Sequence, residues 1–572
     1  MEFKALLFDT RSIQRYIYSG NRLKTNIGAS YLVERVFEDE LVDKILEKEF
    51  PGEVDKQRRS SKDHVDWNEM GTKCAVAYIG GGNALILFRM DTEEGIQRKI
   101  VQKFSEHLLA SHPGLHIGAA FGMLELSSGE SFQKGINGLY RKLKQNQATV
   151  FPPANVPYTG LTLSCEVNGE AANFCDTRGE VEKKGTNGPR FFSQETAMKA
   201  KAAESATKKL RAAFANLFND KPAIKDIFEN YEFPLALDEL GQKRDETREN
   251  YIAIVHIDGN NMGQKFRQCE DLESHRILAM DIRKKTESSF AILLEEIMQD
   301  CENGVYADEL DLSPKEDSAI EGKKKILPIR PLILGGDDVT FICPAKMAVP
   351  FSKRLMEILL ADIPEGYPQV SSKSAKKIDS CAGIAILPTS YPFFRGYELA
   401  EQLCDVAKKK MRGTSQSEDG LGTAWLDFAI LHGEQAPTLE QIRTQEYNGE
   451  LGPMHFGPYQ VGNKTAAGEK ERRHNIENLL SCVHQLQQGT KPGAPTSALP
   501  MNKIKELRAV LQQGRYQADQ FLAQLNLLKK KMPNVPDWNI FLEKDAALWN
   551  ESETPYVDAI EMMDFIPEEA TR

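Results

Sequence analysis

The stretch PLILGGDDVTFIC, Pro331 to Cys343, decides the fold. Apolar, β-favouring runs flank Gly335, Gly336, Asp337 and Asp338, which predicts a hairpin turned at its glycines. Two adjacent carboxylates at a tight turn repel one another unless a cation or strong donors neutralise them. The glycines carry no side chains, so a phosphate or a base can approach the backbone closely. Upstream, YIAIVHID (Tyr251 to Asp258) predicts a strand that ends in a third acid. Hard divalent cations such as Mg²⁺ prefer a few carboxylate oxygens completed by phosphate oxygens and water, so three converging acids suit two-metal phosphoryl transfer. After Asp258 the chain reads Gly259-Asn260-Asn261-Met262-Gly263. Small and amide side chains there suit a loop that wraps a triphosphate through backbone N–H groups, and an ordinary strand-to-helix turn would read the same way.

Working outward, helical patterns are predicted near His275–Gln299, Phe351–Leu360 and Tyr397–Met411, with a strand at Ser380–Leu387. The N-terminal part repeats this order. FKALLFD (Phe3 to Asp9) predicts a strand, a helix-like segment starts near Ser12, and CAVAYIGGGNALILF (Cys74 to Phe88) predicts a hairpin turning at Gly80, Gly81, Gly82 and Asn83. A helix near Thr92–Ala110 and a strand at Leu115–Leu124 follow. Asp9 stands 71 residues before Gly80, and Asp258 stands 77 before Gly335. The two halves read as a divergent duplication. The GGGN turn lacks the acid pair, so the first copy cannot hold metals in the same way.

Four parts emerge: residues 1–150, 151–246, 247–435 and 436–572. The second opens on a Pro-rich loop and continues as charged helix. The fourth is helical, with a strong candidate from Lys503 to Lys531. Polar Cys301–Lys325 is read as a surface insertion, its lysines 323 to 325 as a solvated loop. At roughly 150 residues per domain, a chain of 572 residues has mass for several cores. A net charge of -11 excludes a uniformly basic surface that coats nucleic acid. No apolar stretch reaches the roughly 18 to 20 residues needed to span a bilayer, and the N-terminus lacks the apolar core of a signal peptide, so the chain is read as cytoplasmic with no membrane partner. Nine scattered cysteines without a CxxC pair fit reduced thiols.

HIDGNNMG together with GGDD resembles the second palm domain of the large polymerase-cyclase subunit of type III CRISPR effector complexes, relatives of the GGDEF cyclases and palm polymerases. LLFDTRSIQRYIYSGNRLKTNIGASYLVE is similar to the opening of that family's first palm, and SALPMNKIKELRAVLQQGRYQADQFLAQL to its terminal helical domain. The resemblance implies an α+β chain of two ferredoxin-like palms, a middle domain and a helical C-terminal domain. It implies synthesis of cyclic oligoadenylates from ATP for antiviral defence, switched on by target RNA, in company with the other subunits and CRISPR RNA. Carried over, Asp258, Asp337 and Asp338 would be catalytic and hold two Mg²⁺ or Mn²⁺ ions. Gly335, Gly336, Gly259, Asn260, Asn261 and Lys408 would line the nucleotide pocket. Gly81, Gly82 and Asn83 would serve a second ATP held as acceptor. A solvated lysine run is the competing reading of Lys408.

Two departures matter. No His-Asp dipeptide occurs, so the family's DNase activity is not expected. Where the family often carries a four-cysteine zinc site, CEVNGEAANFC supplies only Cys165 and Cys175, so structural zinc is not expected. His256 is read as a hydrogen-bonded core residue on the same face as Asp258. Arg472, Arg473 and His474 are read as solvent-facing, and YPFFRGYE (Tyr391 to Glu398) as a packed loop. Two rivals remain: an assembly subunit with weak catalysis, and a stand-alone signalling nucleotidyltransferase with another acceptor.

Overall fold

The computed structural model describes residues 2–61, 64–80, 82–148, 160–177, 179, 181, 190–240, 251–313, 324–413, 423–433, 437–462, 472–542 and 548–568. Gly81, most of the Pro-rich loop after residue 150, and residue 323 of the lysine run lie outside the described residues.

The first unit is built on β1 (Glu2–Arg11), β2 (Val54–Asp55), β3 (Cys74–Gly80), β4 (Asn83–Phe88) and β5 (His116–Glu125), in the order β2-β3-β4-β1-β5. β1 lies antiparallel between β4 and β5. Because side chains alternate across a strand, Leu6 and Phe8 enter one core with Val76, Ile86 and Phe88, while Phe3, Ala5 and Leu7 enter a second with Ala75, Leu85 and Leu87. That alternation explains why the whole strand reads as an uninterrupted apolar run.

Between the units, β6 (Phe174–Asp176) pairs with β7 (Arg190–Phe192), and β8 (Tyr231–Glu232) pairs with β10 (Lys325–Ile326). Lys325 is therefore in a strand and bonds Glu302, which corrects the solvated-loop reading at that residue. The second unit is built on β9 (Tyr251–Gly259), β11 (Arg330–Gly335), β12 (Asp338–Pro344), β13 (Ser380–Pro388), β14 (Ala424–Ile430) and β17 (Tyr459–Val461), in the order β11-β12-β9-β13-β14-β17. A short ribbon, β15 (Asn448–Gly449) with β16 (Gly452–Pro453), precedes β17.

Matching the sheets gives β3-β4-β1-β5 against β11-β12-β9-β13, the same order with the same antiparallel pairings around the central strand. The register agrees too: Asp9 opposes Asn83 and Gly118, as Asp258 opposes Asp338 and Cys381. Two ferredoxin-like units in a mixed α+β chain thus account for the internal repeat.

Several expectations need correction. The helix-like segment after Ser12 is broken, with helices at Ile13–Tyr18 and Leu23–Arg35 followed by wider π-type turns over Val36–Leu46. The Lys503–Lys531 candidate is two helices, Met501–Gln512 and Arg515–Leu527, parted at Gly514, whose φ of 96° suits glycine. The part after residue 435 is not purely helical, since β17 extends the second sheet. Tyr391–Glu398 is not a loop: a helix runs from Phe393 to Arg412, with Phe393 and Tyr397 buried.

Candidate active site

Pairing of β9 with β12 sets Asp258 directly opposite Asp338, at the end of both strands. Gly335 closes on Asp338, leaving Gly336 and Asp337 as a two-residue turn. Gly336 has φ 67°, the left-handed backbone that such primed turns need at their first central position. The turn is braced from both sides: Thr286 Oγ1 donates to Gly336 O at 2.6 Å, and the Gly259 N–H donates to Asp337 O at 3.2 Å. A Cβ on Gly259 would lie 2.8 Å from the Asp337 Cβ and 2.8 Å from the Met262 Cε, so the strand end can approach the turn only as glycine.

The three acids experience different surroundings. Burial, and after it Asp258, pushes the Asp337 carboxyl up to about 7, with Asp338 adding to the rise. Asp258 forms an ion pair with Lys408, brought over the sheet by the helix Phe393–Arg412. Asp338 Oδ1 lies 3.3 Å from His256 Nδ1, which in turn is 3.2 Å from Thr340 Oγ1. Burial lowers the His256 imidazole, and the charges of Asp338, Asp258 and Glu401 outweigh it, so its pKa is raised. With Lys408 on one acid and His256 beside another, no three ligating side chains among the described residues converge on a single point. The donors are nonetheless all carboxylate oxygens, and a buried Asp337 raised by its neighbours is the electrostatic situation that a hard cation relieves.

Residues 251–415 match the family model described as Cas10/Cmr2, second palm domain. Over this stretch the chain is similar to a Cas10/Cmr2 second palm. Among solved structures it is similar to a Csm1–Csm4 cassette in complex with pppApA, at 11% identity and TM-score 0.49 over 99% of this chain and 70% of that one. It is also similar to the cassette with AMPPNP (12% identity, TM-score 0.48, 100% and 70% covered) and to Csm1 in T.onnurineus (12%, 0.47, 100% and 70%). No curated protein matches the chain.

Within this palm-like unit, the loop after Asp258 splits its two asparagines. Asn260 is buried, its N–H donates to Asp379 O at 2.9 Å, and its side-chain amide meets the Cys381 thiol. Asn261 is exposed, with φ 59°, and opens the short helix Met262–Arg267. Lys408 is brought to the acids rather than left in a solvated run. Sequence reading missed Thr286, Thr340 and Asp379, because single polar residues at long separation carry no local pattern.

The first unit holds a less acidic version of the same arrangement. Asn83 occupies the place of Asp338, and Gln147 Nε2 donates to Asp9 as Lys408 does to Asp258. Gly82 has φ 78° and packs on Ile13, whose Cδ1 would lie 2.4 Å from an added Cβ. Burial raises the Asp9 carboxyl, and Gln147 and Arg11 partly offset it. One acid with two amides replaces three acids with a lysine, and Gln147 was not legible as a partner.

Elsewhere, Cys165 is buried with its thiol 3.5 Å from Thr196 Oγ1, while Cys175 is exposed on β6, whose alternation turns Asp176 inward instead. The solvent-facing reading of His474 and Arg473 is corrected: His474 is buried and stacks on Phe456 at 4.4 Å, and the Arg473 guanidinium lies 4.2 Å from the Phe541 ring centre. No helix among the described residues is long and apolar enough to cross a membrane.

Proposed function

We propose that this chain is the nucleotidyltransferase of a type III CRISPR effector complex, joining ATP molecules through 3′-5′ bonds into cyclic oligoadenylates when target RNA is bound. The observation that carries the reading is the register that sets Asp258 opposite Asp338 with Asp337 at the intervening turn. In each step the 3′-hydroxyl of an acceptor attacks the α-phosphate of a donor ATP, the new ester forms, pyrophosphate leaves, and the hydroxyl proton is released to solvent. Two Mg²⁺ or Mn²⁺ ions held by Asp258, Asp337 and Asp338 would lower the pKa of that hydroxyl and neutralise the leaving group.

The chain's own residues prepare the site. Gly335, Gly336 and Gly259 keep side chains off the strand ends, so donor phosphates meet the backbone. Buried Asn260 supplies an amide for the nucleotide, and Asn261 opens the loop to solvent. Lys408 exchanges Asp258 for triphosphate oxygens when the nucleotide arrives. The neutral turn at Gly81, Gly82 and Asn83, beside Asp9 and Gln147, holds the acceptor without metal chemistry. Other complex subunits and CRISPR RNA complete the assembly.

The test incubates the purified complex with labelled ATP, divalent metal and target RNA, comparing wild type with Asp337→Ala/Asp338→Ala. Wild type yields oligoadenylate with pyrophosphate and the variant yields none; equal product from both removes the assignment. One observation favours a second reading, an assembly subunit with little catalysis: Lys408 and His256 already occupy two of the acids. A complex that assembles with guide RNA yet turns over no ATP with any target would establish it.

A further inference from the structure

The internal repeat aligns the ends of the two central strands residue by residue. Asp9 and Asp258 hold matching places, and so do the residues that follow. Thr10 opposes Ile117 as Gly259 opposes Ser380, and Ser12 (φ 50°) and Asn261 (φ 59°) are both left-handed and both precede a short helix. Arg11 therefore stands where the second unit has Asn260. Its strand partner His116 stands where the second unit has Asp379, whose carbonyl accepts from the Asn260 N–H. An amide and an acid in one unit are an arginine and a histidine in the other.

The arginine is held in place without being covered. Side chains two apart on a strand share a face, as do directly opposed residues of antiparallel strands, so Asp9, Arg11 and His116 share the face under the helix Gly129–Ala148. Near the end of that helix Gln147 bridges the first two: its side-chain amide donates to the Asp9 carboxylate, and its carbonyl accepts from Arg11 Nη2 at 2.7 Å. That is the one hydrogen bond of the guanidinium among the described residues, so most of its N–H donors stay open. Glu195, which lies against Gly114 two residues before His116, is already paired with buried Lys199. Asp9, Arg11 and Gln147 are half-buried and His116 is exposed, so a solute can reach them. The second unit sets three acids against Lys408, and a polyphosphate needs divalent cations to approach it. The first sets a single acid beside an arginine.

We infer that Arg11 positions the acceptor nucleotide by its phosphates: in the first unit a guanidinium receives the polyphosphate, in place of carboxylate-held metal. The inference rests on the reading of the first unit as the acceptor site. It makes the two nucleotide sites differ in kind, since donor binding requires a divalent cation and acceptor binding does not.

Calorimetric binding of ATP and of adenosine to the full chain in EDTA tests this. Wild type is expected to bind ATP more tightly than adenosine. Arg11→Met should weaken ATP binding about 10- to 100-fold, the effect of losing charge-assisted hydrogen bonds, while adenosine affinity and the melting temperature stay close to wild type. Arg11→Lys should recover part of the loss, because lysine restores the charge without the planar fork. Equal ATP affinity in wild type and Arg11→Met, or no ATP binding by wild type in EDTA, overturns the inference. The donor site fails separately: if Mg²⁺ adds no second ATP that Asp337→Asn/Asp338→Asn loses, the metal assignment falls, while an Arg11-dependent site in EDTA stands.

Discussion

Lys408 Nζ donates to Oδ2 of Asp258, from a helix that crosses the strand bearing the acid's neighbour. The pair is partly buried, so it is screened less than a surface ion pair. It holds the charge of one acid while the other two remain crowded. This relationship makes the lysine a stand-in for a metal cation.

Lys408→Met should leave Asp258 uncompensated beside Asp337. The variant is expected to lose about 1–2 kcal/mol of stability in EDTA, the usual cost of stripping a partner from a partly buried charge. Saturating Mg²⁺ should restore most of that loss, so the Tm gain on adding Mg²⁺ exceeds that of wild type. Thermal melts of both chains with and without Mg²⁺ measure this; equal Mg²⁺ gains would show that the lysine does not compete with a cation.

The carboxyl of Asp337, raised from 3.8 to about 7, sets a pH dependence of definite sign. A carboxyl whose folded pKa exceeds its unfolded value binds its proton more tightly when folded. It therefore costs stability progressively as pH rises from about 4 to 7, and the cost is constant above that. Asp337→Asn removes the cost. In EDTA at pH 8 the variant should be more stable than wild type by on the order of 4 kcal/mol, the equivalent of about three pKa units, and melt correspondingly higher, and most of the gap should be gone at pH 4.5. A gap that persists unchanged at pH 4.5 would assign the gain to something other than this carboxyl.

How much of this was legible beforehand follows from what kind of signal each residue leaves. The strands around Asp9 and Asp258 could be read because apolar runs ended by an acid are local, and the hairpin glycines punctuate them. The duplication could be read because order survives when identity does not. Lys408 and Gln147 each stand on a helix, 150 and 138 residues along the chain from the acids they meet, and only the resemblance pointed to the first. Tyr18 stacks on Tyr397 and Phe393, a contact that an aromatic in a short helix does not announce. His474 was misread because flanking arginines suggest solvent, whereas Phe456 and Phe541 cover the imidazole and the Arg473 guanidinium. The break at Gly514 was missed since a lone glycine in a helical pattern is usually tolerated.

Thiol accessibility tests the region between the units. Of the nine cysteines only Cys175 is exposed, with Cys301 intermediate and the others buried. An Ellman titration of the native chain should show one fast thiol, lost in Cys175→Ser and unaffected by a zinc chelator. A fast phase that emerges only after chelation would mean that a metal had been holding Cys175.

Gly383 is where the helix carrying Lys408 touches the sheet. A Cβ there would stand 1.9 Å from Ala400 O and 2.5 Å from Cys404 N, both backbone atoms that cannot swing aside. In the first unit the register places Ala120 at the equivalent position, opposite Leu7 as Gly383 is opposite His256, so that helix tolerates a methyl where this one does not. Gly383→Ala should therefore lift the Phe393–Arg412 helix from β13, costing about 3 kcal/mol by overpacking and drawing Lys408 away from Asp258. Gly138, half-buried in the helix Gly129–Ala148 with no atom near its missing Cβ, is the control: Gly138→Ala should gain about 0.5–1 kcal/mol. If product formation by Gly383→Ala, measured below its melting temperature, equals that of wild type, then close helix approach does not set the geometry of Lys408, and the lysine's pairing with Asp258 is incidental to the chemistry.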